Sequence, residues 1–448
     1  MKKVTVLIPT LNSIQFMKEC LESVINQTLK ELEIIIIDAG STDGTLELLE
    51  MYKQKDNRIN IVHSEMKSYG YQLNLGIRLA KGDYIGIVES DDIIEKDMYE
   101  SLLVIAEESD ADFVKGNFFH YAVTDNGQEL LIPEVNVSKE IIGKVVNPLE
   151  YTDMYFVDFY LWRGIYKRGF INTNEILFHE SKGAAYQDIG FLFQVFTRAQ
   201  KVVYLDNCFY KYRRNNSGSS TYSPKAFAYL AGEYAYILEK LNCGQEIDIK
   251  WASVFYQKMF VQCRSRIRLL AFCGGDIKSV EADILYLQKI LKDAYQGKKF
   301  NVSTWNMALQ IEFQMFIKDI YEYAVYYQIQ IEAKKECVFQ VIDELKAYSE
   351  VVLVGDSRAV SFIYTFLRAN NLNSVLNIAD NDNSKYGKKR MGLEIVSVEH
   401  VCEEKENKAF LICSVRGLKE LTRQLISLGV KESQVYAYDL GIDWLLLS

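Results

Sequence analysis

No stretch of this chain approaches the ~18 continuous apolar residues that a membrane-spanning helix needs. The opening run, Met1-Lys-Lys-Val-Thr-Val-Leu-Ile-Pro9, is too short for the apolar centre of a signal peptide, so neither a leader nor a spanning segment is expected. Cysteine pairing motifs are missing. The eight cysteines are scattered, with no C-x-x-C and no zinc spacing, and read as reduced, mostly core thiols of a cytoplasmic protein. Basic excess is missing too. A net charge of −9 provides no broad positive field for phosphate backbones and argues against a nucleic-acid partner. What is present is ordinary for a globular chain. With 448 residues, 49% hydrophobic and 25% charged, it can bury large cores in about two or three domains. The 30 tyrosines either stack on sugar rings or reflect a compositional bias.

The N-terminal quarter alternates strand and helix. Val4 to Ile8 reads as a buried strand stopped by Pro9, and Asn12 or Ser13 can cap the helix that follows. Phe16, Cys20, Leu21, Val24 and Ile25 recur at helical spacing. Glu33 to Ile37 reads as a second strand whose continuous apolar run from Ile34 suits a parallel sheet covered on both faces, and it ends at Asp38. Ile59 to Val62 and Tyr84 to Val88 supply further strands, with a helix over Tyr71 to Ala80 between them. This alternation predicts a doubly wound α/β sheet, whose ligands bind beyond the carboxyl ends of the strands. Pro9-Thr10, Asp38 and Glu89-Ser90-Asp91 fall along that one edge.

The stretch Lys81-Gly-Asp-Tyr-Ile-Gly-Ile-Val-Glu-Ser-Asp-Asp92 carries the strongest chemical signal. It ends a buried strand in Glu89, Asp91 and Asp92, which repel one another unless a cation neutralises them. Oxygen ligands suit Mg²⁺ or Mn²⁺ shared with substrate phosphates. An acidic turn, with Asp92 capping the next helix, is the alternative.

Five segments together resemble a known family. They are Val6-Leu-Ile-Pro-Thr-Leu-Asn12, Ile36-Ile-Asp-Ala-Gly-Ser-Thr-Asp-Gly-Thr45, Asn74-Leu-Gly-Ile77, Ala80-Lys-Gly-Asp-Tyr84 and Val88-Glu-Ser-Asp-Asp92. In order and spacing the set resembles a family-2 glycosyltransferase of the GT-A fold. The resemblance implies an inverting transferase that uses a nucleotide-diphosphate sugar and a divalent metal, Mn²⁺ or Mg²⁺. By carry-over, Pro9, Thr10 and Asn12 line the nucleotide pocket, and Asp38 receives the base, read as uracil. Asn74 and Ser90 join the donor site. Asp91 binds the metal that bridges the diphosphate, with Glu89, where the family more often has Asp, reaching the ribose or the metal. Ala39 replaces a frequent second Asp, so base recognition falls to Asp38 alone. Gly40 to Gly44 and Asp43 are expected to shape the loop.

The acceptor half is rich in aromatics: Tyr155, Phe156, Phe159, Tyr160, Trp162 and Tyr166. Trp162-Arg-Gly-Ile-Tyr-Lys-Arg168 is similar to the segment that such transferases carry before their catalytic carboxylate. Where the family often has Glu-Asp, this chain has Gln187-Asp188. The resemblance makes Asp188 the general base that takes the acceptor hydroxyl proton. A helix cap is its alternative role. A neutral Gln187 removes one source of like-charge repulsion, so Asp188 is expected to depend on desolvation for its basicity. His179 reads as a surface or satisfied polar residue, not a base. Tyr210-Lys-Tyr-Arg-Arg-Asn-Asn-Ser-Gly-Ser219 resembles the loop that folds over the donor pyrophosphate. Arg213 is the expected clamp and Arg214 a solvated charge.

Residues 225–346 carry helical periodicity, read as core and interdomain packing with no clear basic amphipathic face. Tyr348-Ser-Glu-Val-Val-Leu-Val-Gly-Asp-Ser-Arg358 then restarts strand, glycine turn and helix, and Asp380 ends another strand. Ser357 and Val360 stand at the second and third glycine positions of a dinucleotide motif, which weakens that signal. The region looks like the Rossmann-type domain appended to many bacterial sugar-modifying enzymes. The expected division is therefore 1–224 transferase domain, 225–346 helical region and 347–448 Rossmann-like domain. Transfer to a glycan or lipid-linked acceptor in bacterial surface glycan synthesis is the leading reading. A degenerate sugar-nucleotide-binding or scaffold protein, suggested by Glu89, Ala39 and Gln187, competes with it, and an oxidoreductase or epimerase centred on the C-terminal domain is a third. Peripheral attachment at the inner face of the plasma membrane and homo-oligomerisation both stay open.

Overall fold

A computed structural model describes residues 2–437 except 124–128, 135–136, 215–224, 243–247, 357–359, 361–362, 365–366, 369 and 415–416. The chain divides into two compact units: residues 1–266 with 280–320, and residues 267–279 with 321–448. Among the described residues no helix is long and apolar enough to cross a membrane, and the six described cysteines are free thiols.

The first unit opens with the expected alternation: β1 (Val4–Thr10), α1 (Ile14–Ile25), β2 (Leu32–Asp38), α2 (Thr45–Lys53), β3 (Ile59–His63), α3 (Tyr69–Leu79) and β4 (Tyr84–Ile87). β5 (Ile93–Ile94), α4 (Met98–Ser109), β6 (Phe113–Val123), β7 (Glu129–Glu134), α5 (Met154–Val157), β8 (Gly164–Lys167), α6 (Arg168–Thr173), α7 (Gln187–Arg198) and β9 (Val202–Arg213) complete the sheet region. The strands lie in the order β3-β2-β1-β4-β8-β6-β9-β5, with β7 paired to β6. β1 to β4 are parallel, and β8 enters antiparallel between β4 and β6. Every residue of β1 and β2 is buried, as continuous apolar runs covered on both faces require. Each fully buried Ile or Leu in these strands contributes roughly 1.5–3 kcal/mol.

Pro9 does not stop β1. It pairs with Ile37 and Thr10 pairs with Asp38, so the strand runs two residues further than its apolar pattern. β4 pairs with β1 only up to Leu7, leaving Pro9 outside that ladder. Capping also differs from expectation. Ser13 flanks α1 without a side-chain cap; the first helical N–H, that of Ile14, instead donates to Asp43 Oδ2 at 3.0 Å. Asp92 caps no helix, since Asp97 flanks α4.

Five helices follow: α8 (Ala226–Asn242), α9 (Ile249–Phe272), α10 (Glu281–Gln296), α11 (Met307–Lys318) and α12 (Ile320–Leu345). α8 packs on α7.

The second unit contains β10 (Glu350–Val354), β11 (Val375–Asp380), β12 (Lys389–Arg390), β13 (Leu393–Ser397), β14 (Lys408–Ile412) and β15 (Val435–Ala437). Their order is β12-β13-β11-β10-β14-β15, parallel except for the β12–β13 pair. Side chains alternate along β10. Val351 and Leu353 enter one core with Ile342 and Leu345, while Val352 and Val354 enter another with Leu421 and Leu425. A sheet with two apolar faces must be covered on both, which makes this unit a second α/β sheet, consistent with the strand–turn–helix restart read from the sequence. Ser357 and residues 215–219 of the arginine-bearing loop lie outside the described residues.

Candidate active site

At the carboxyl edge of the first sheet a cleft of about 910 Å³ opens. The β1–α1 loop, the start of α3, the end of β4, residues 159–162 and 183–189, the end of β9 and one face of α9 all line it.

The acidic run after β4 is split by the fold. Glu89 and Asp91 line the cleft, but Asp92 is fully buried behind it. Asp92 accepts from Tyr210 Oη at 2.8 Å and from the Arg213 N–H at 2.7 Å. Burial, followed by the charge of Asp91, holds its carboxyl well above the usual range. Glu89 accepts from Tyr69 Oη at 2.5 Å. Desolvation raises its carboxyl to about 8, the charges of Asp91 and Asp188 add to the rise, and the Tyr69 bond opposes it. Ser90 Oγ lies 2.8 Å from Ser13 Oγ, tying the acidic turn to the first loop.

Among the described residues no group of three or more His, Cys, Asp or Glu side chains is arranged as a metal cage. The donor set instead fits a hard cation held by one or two carboxylates, Asp91 and Glu89, that takes its other oxygens from phosphate and water.

The predicted nucleotide residues separate into two groups. Pro9, Thr10 and Asn12 line the cleft, and Thr10 Oγ1 is buried there with no hydrogen-bond partner. Asn12 adopts φ 54°, a left-handed conformation that Asn tolerates, and its Oδ1 accepts from the Thr42 N–H at 2.8 Å. Asp38 and Asn74 lie outside the lining. The Asp38 carboxylate accepts from the Gly40 N–H at 2.9 Å and from Ser41 Oγ at 2.5 Å, so it organises its own turn. The Asn74 amide donates to Phe178 O at 3.0 Å and to Glu180 Oε1 at 2.9 Å, and accepts from the Phe178 N–H at 2.9 Å. It pins the segment at Phe178–Glu180 to α3. Gly70 serves the same seam: a Cβ there would fall 2.1 Å from His179 O.

Arg213 lines the cleft, and two of its guanidinium nitrogens are engaged by the protein. Nε donates to Asp91 O at 2.7 Å, a terminal nitrogen donates to Glu19 Oε2 at 2.6 Å, and the group lies against the rings of Phe16 and Tyr121. It clasps the acidic turn. Arg214 is the exposed guanidinium at the cleft, over the Tyr212 ring at 5.4 Å.

Asp188 lies in the first turn of α7, behind Tyr186, which takes φ 68° as the flanking residue. It is therefore not the helix cap. Desolvation raises its carboxyl to about 6, and the charge of Glu233 adds to the rise. Lys258 and the backbone N–H groups of Asp188 and Ile189 pull the other way. Gln187 is buried and pins the preceding loop, donating to Ser181 Oγ at 2.8 Å and to Gly183 O at 3.2 Å. Like-charge repulsion on Asp188 thus comes from a helix that the motifs do not mention. Lys258 donates to Tyr155 O at 2.5 Å, and burial lowers its ammonium to about 7.

Glu233, Lys258, Gln262 and Arg266 come from α8 and α9, so the cleft lining and the surroundings of Asp188 draw on helices beyond residue 224 that carry none of the motifs. A signal was present. Glu233 sits among Leu230, Tyr234 and Ile237, and Lys258 among Phe255 and Met259, each a charge within a buried helical stripe. On the opposite wall Phe159, 41% exposed, begins an aromatic shelf with Tyr160 and Trp162.

The family model described as glycosyl transferase family 2 matches residues 5–179. Glycosyltransferase GlyG of Streptococcus pneumoniae serotype 4 is 34% identical over 224 residues, covering 48% of this chain and 72% of GlyG. The uncharacterized glycosyltransferase YibD of Escherichia coli is 28% identical over 306 residues, covering 65% of this chain and 84% of YibD. The crystal structure of S. aureus TarS 1–349 in complex with UDP-GlcNAc aligns with TM-score 0.44 and 18% identity over 75% of this chain and 91% of that one. The chain belongs to glycosyl transferase family 2. It is a glycosyltransferase with a second α/β sheet unit at its C-terminal end.

Proposed function

We propose that the protein transfers a sugar, with inversion, from a nucleotide-diphosphate donor, a UDP-sugar, to a hydroxyl of a saccharide, polymer or glycolipid acceptor in bacterial surface glycan synthesis. One observation carries the reading. Asp188, with a carboxyl of raised proton affinity, opens onto the same cleft as Asp91 but stands on a different element. Asp188 removes the acceptor hydroxyl proton as that oxygen bonds to the anomeric carbon and the bond to the diphosphate breaks. Asp91, with Glu89, would hold a Mg²⁺ or Mn²⁺ that offsets the diphosphate charge. Arg214, in place of Arg213, is positioned to meet phosphate oxygens. Thr10 and Asn12 face the nucleoside, with Asp38 shaping the turn beneath it. The aromatic shelf at Phe159 suits the apolar face of a sugar ring.

Residues 347–448 are proposed to be a Rossmann-like module that takes no part in transfer. The protein is proposed to work in the cytoplasm, against the inner face of the membrane when its acceptor is lipid-linked. Nucleotide release from UDP-GlcNAc, UDP-Glc, UDP-Gal and GDP-Man with Mn²⁺ tests the reading, with Asp188→Asn as the control. Release that is equally fast in the Asp188→Asn protein would overturn the base assignment.

A further inference from the structure

Helix α8 approaches the base helix at one point where α7 has no side chain. Gly190 lies one half-turn beyond Asp188, and a Cβ at Gly190 would fall 2.2 Å from Glu233 Oε1. The glycine is a notch, and a carboxylate is seated in it. Glu233 Oε1 accepts the Gly190 N–H at 3.0 Å, and Oε2 lies 3.0 Å from His179 Nδ1. His179 in turn stacks on Tyr236 of α8, with ring centroids 4.6 Å apart and planes 4° apart. Glu233 is 1% exposed. A buried carboxylate is costly unless its environment uses it.

We infer that Glu233 is a positioning residue for the transfer reaction: from α8 it seats the first turn of α7 through the Gly190 N–H and fixes the direction in which Asp188 faces the cleft. The inference rests on Asp188 being the base. The charged and titratable groups around Asp188 come from several elements. Glu233 stands on α8, Lys258 on α9, Glu89 after β4, and the phenols of Tyr69, Tyr155, Tyr186 and Tyr234 complete the surroundings. After burial itself, the charge of Glu233 raises Asp188, and Lys258 opposes it. Burial pushes Glu233's own carboxyl up, while His179 and the Gly190 N–H hold it towards the charged form. Its charge and its hydrogen bond therefore act on the same target, and two substitutions separate them. Glu233→Gln keeps an acceptor for Gly190 and removes the charge; Glu233→Ala removes both.

The test uses the full chain with aspartate labelled by ¹³C at the carboxyl carbon. The Asp188 signal is identified by its absence in Asp188→Asn. Its titration midpoint is expected near 6 in the wild type and closer to the ordinary aspartate range in Glu233→Gln, with melting temperature preserved. This readout requires no donor. In parallel, nucleotide release from UDP-GlcNAc with Mn²⁺ should have its acid limb at lower pH in Glu233→Gln. In Glu233→Ala kcat should fall on the order of 10- to 100-fold, with KM for the donor unchanged. A wild-type kcat in folded Glu233→Ala would overturn the inference, and so would a Glu233→Gln protein that loses as much kcat as Glu233→Ala, since the glutamine keeps the acceptor for the Gly190 N–H. Wild-type release by Asp188→Asn would instead remove the base assignment, while the titration still decides whether Glu233 acts on Asp188.

Discussion

The two sheets end in similar chemistry and treat it in opposite ways. At the carboxyl edge of the second sheet, Asp356 and Asp380 face cations. Lys385 Nζ lies 3.6 Å from Asp356 and 3.3 Å from Asp380, and Arg390 binds Asp356. The Asp356 N–H donates to Asp380 Oδ2 at 2.6 Å. At the edge of the first sheet, Glu89, Asp91 and Asp188 crowd an open cleft, and burial above all pushes up two of these carboxyls, Glu89 to about 8 with the charges of Asp91 and Asp188 adding, and Asp188 to about 6 with the charge of Glu233 adding. Paired carboxylates hold a loop; crowded ones keep a demand for a proton or a cation, and that demand is what a reaction can use.

The largest expected effect breaks the first edge. Asp188→Asn should lower kcat by about 10²–10⁴-fold, with donor affinity and melting temperature nearly unchanged. Steady-state kinetics beside calorimetry of UDP binding checks both halves. Next, UDP binding should need Mn²⁺, and Asp91→Asn should weaken it by about 10- to 100-fold, the loss of one charge-assisted contact. Equal calorimetric affinity with and without Mn²⁺ would remove Asp91 from the metal role. A smaller effect is the pH profile. A base must be ionised, so kcat/KM should rise as pH increases through about 6 and level off above it, the midpoint being that of Asp188. A limb near 4 would mean that Asp188 is solvated in the working enzyme. The smallest effect belongs to the second edge. Lys385→Ala should lower stability by about 1 kcal/mol or less and leave nucleotide release untouched, as the proposal that the paired edge takes no part in transfer requires. A chain ending at Lys346 should likewise keep nucleotide release; complete loss in a folded truncated protein would show that the two edges cooperate.

The strands were legible because period and burial are properties of the chain itself, although β1 runs two residues past its expected end at Ile8. Continuous runs such as Ile34–Ile37 can only be covered strands, and the sheet registers Thr10 beside Asp38 as alternation requires. The direction of side chains was less legible. Asp38, Asn74 and Arg213 hold motif positions, yet nearby backbone N–H and C=O groups claim them, and that competition is local geometry rather than pattern. Glu233 and Lys258 were missed for another reason. They lie in helices with no motif, and only their position on buried stripes marks them.

The Arg213 clasp has a consequence for the order of synthesis. Asp92 receives its backbone donor from a residue 121 positions later, and Glu19 receives its guanidinium 194 positions later. At about 5–20 residues per second, the acidic turn leaves the ribosome roughly 6–24 s before the strand that closes over it. During that interval the parallel strands can pair, but Asp92 lacks its partner and the cleft lacks a wall. The enzyme therefore acquires the parallel strands β1 to β4 early and its site late, and such long closures are slow steps in folding. Arg213→Ala should accordingly slow refolding more than its loss of hydrogen bonds alone predicts, a difference that stopped-flow fluorescence can measure.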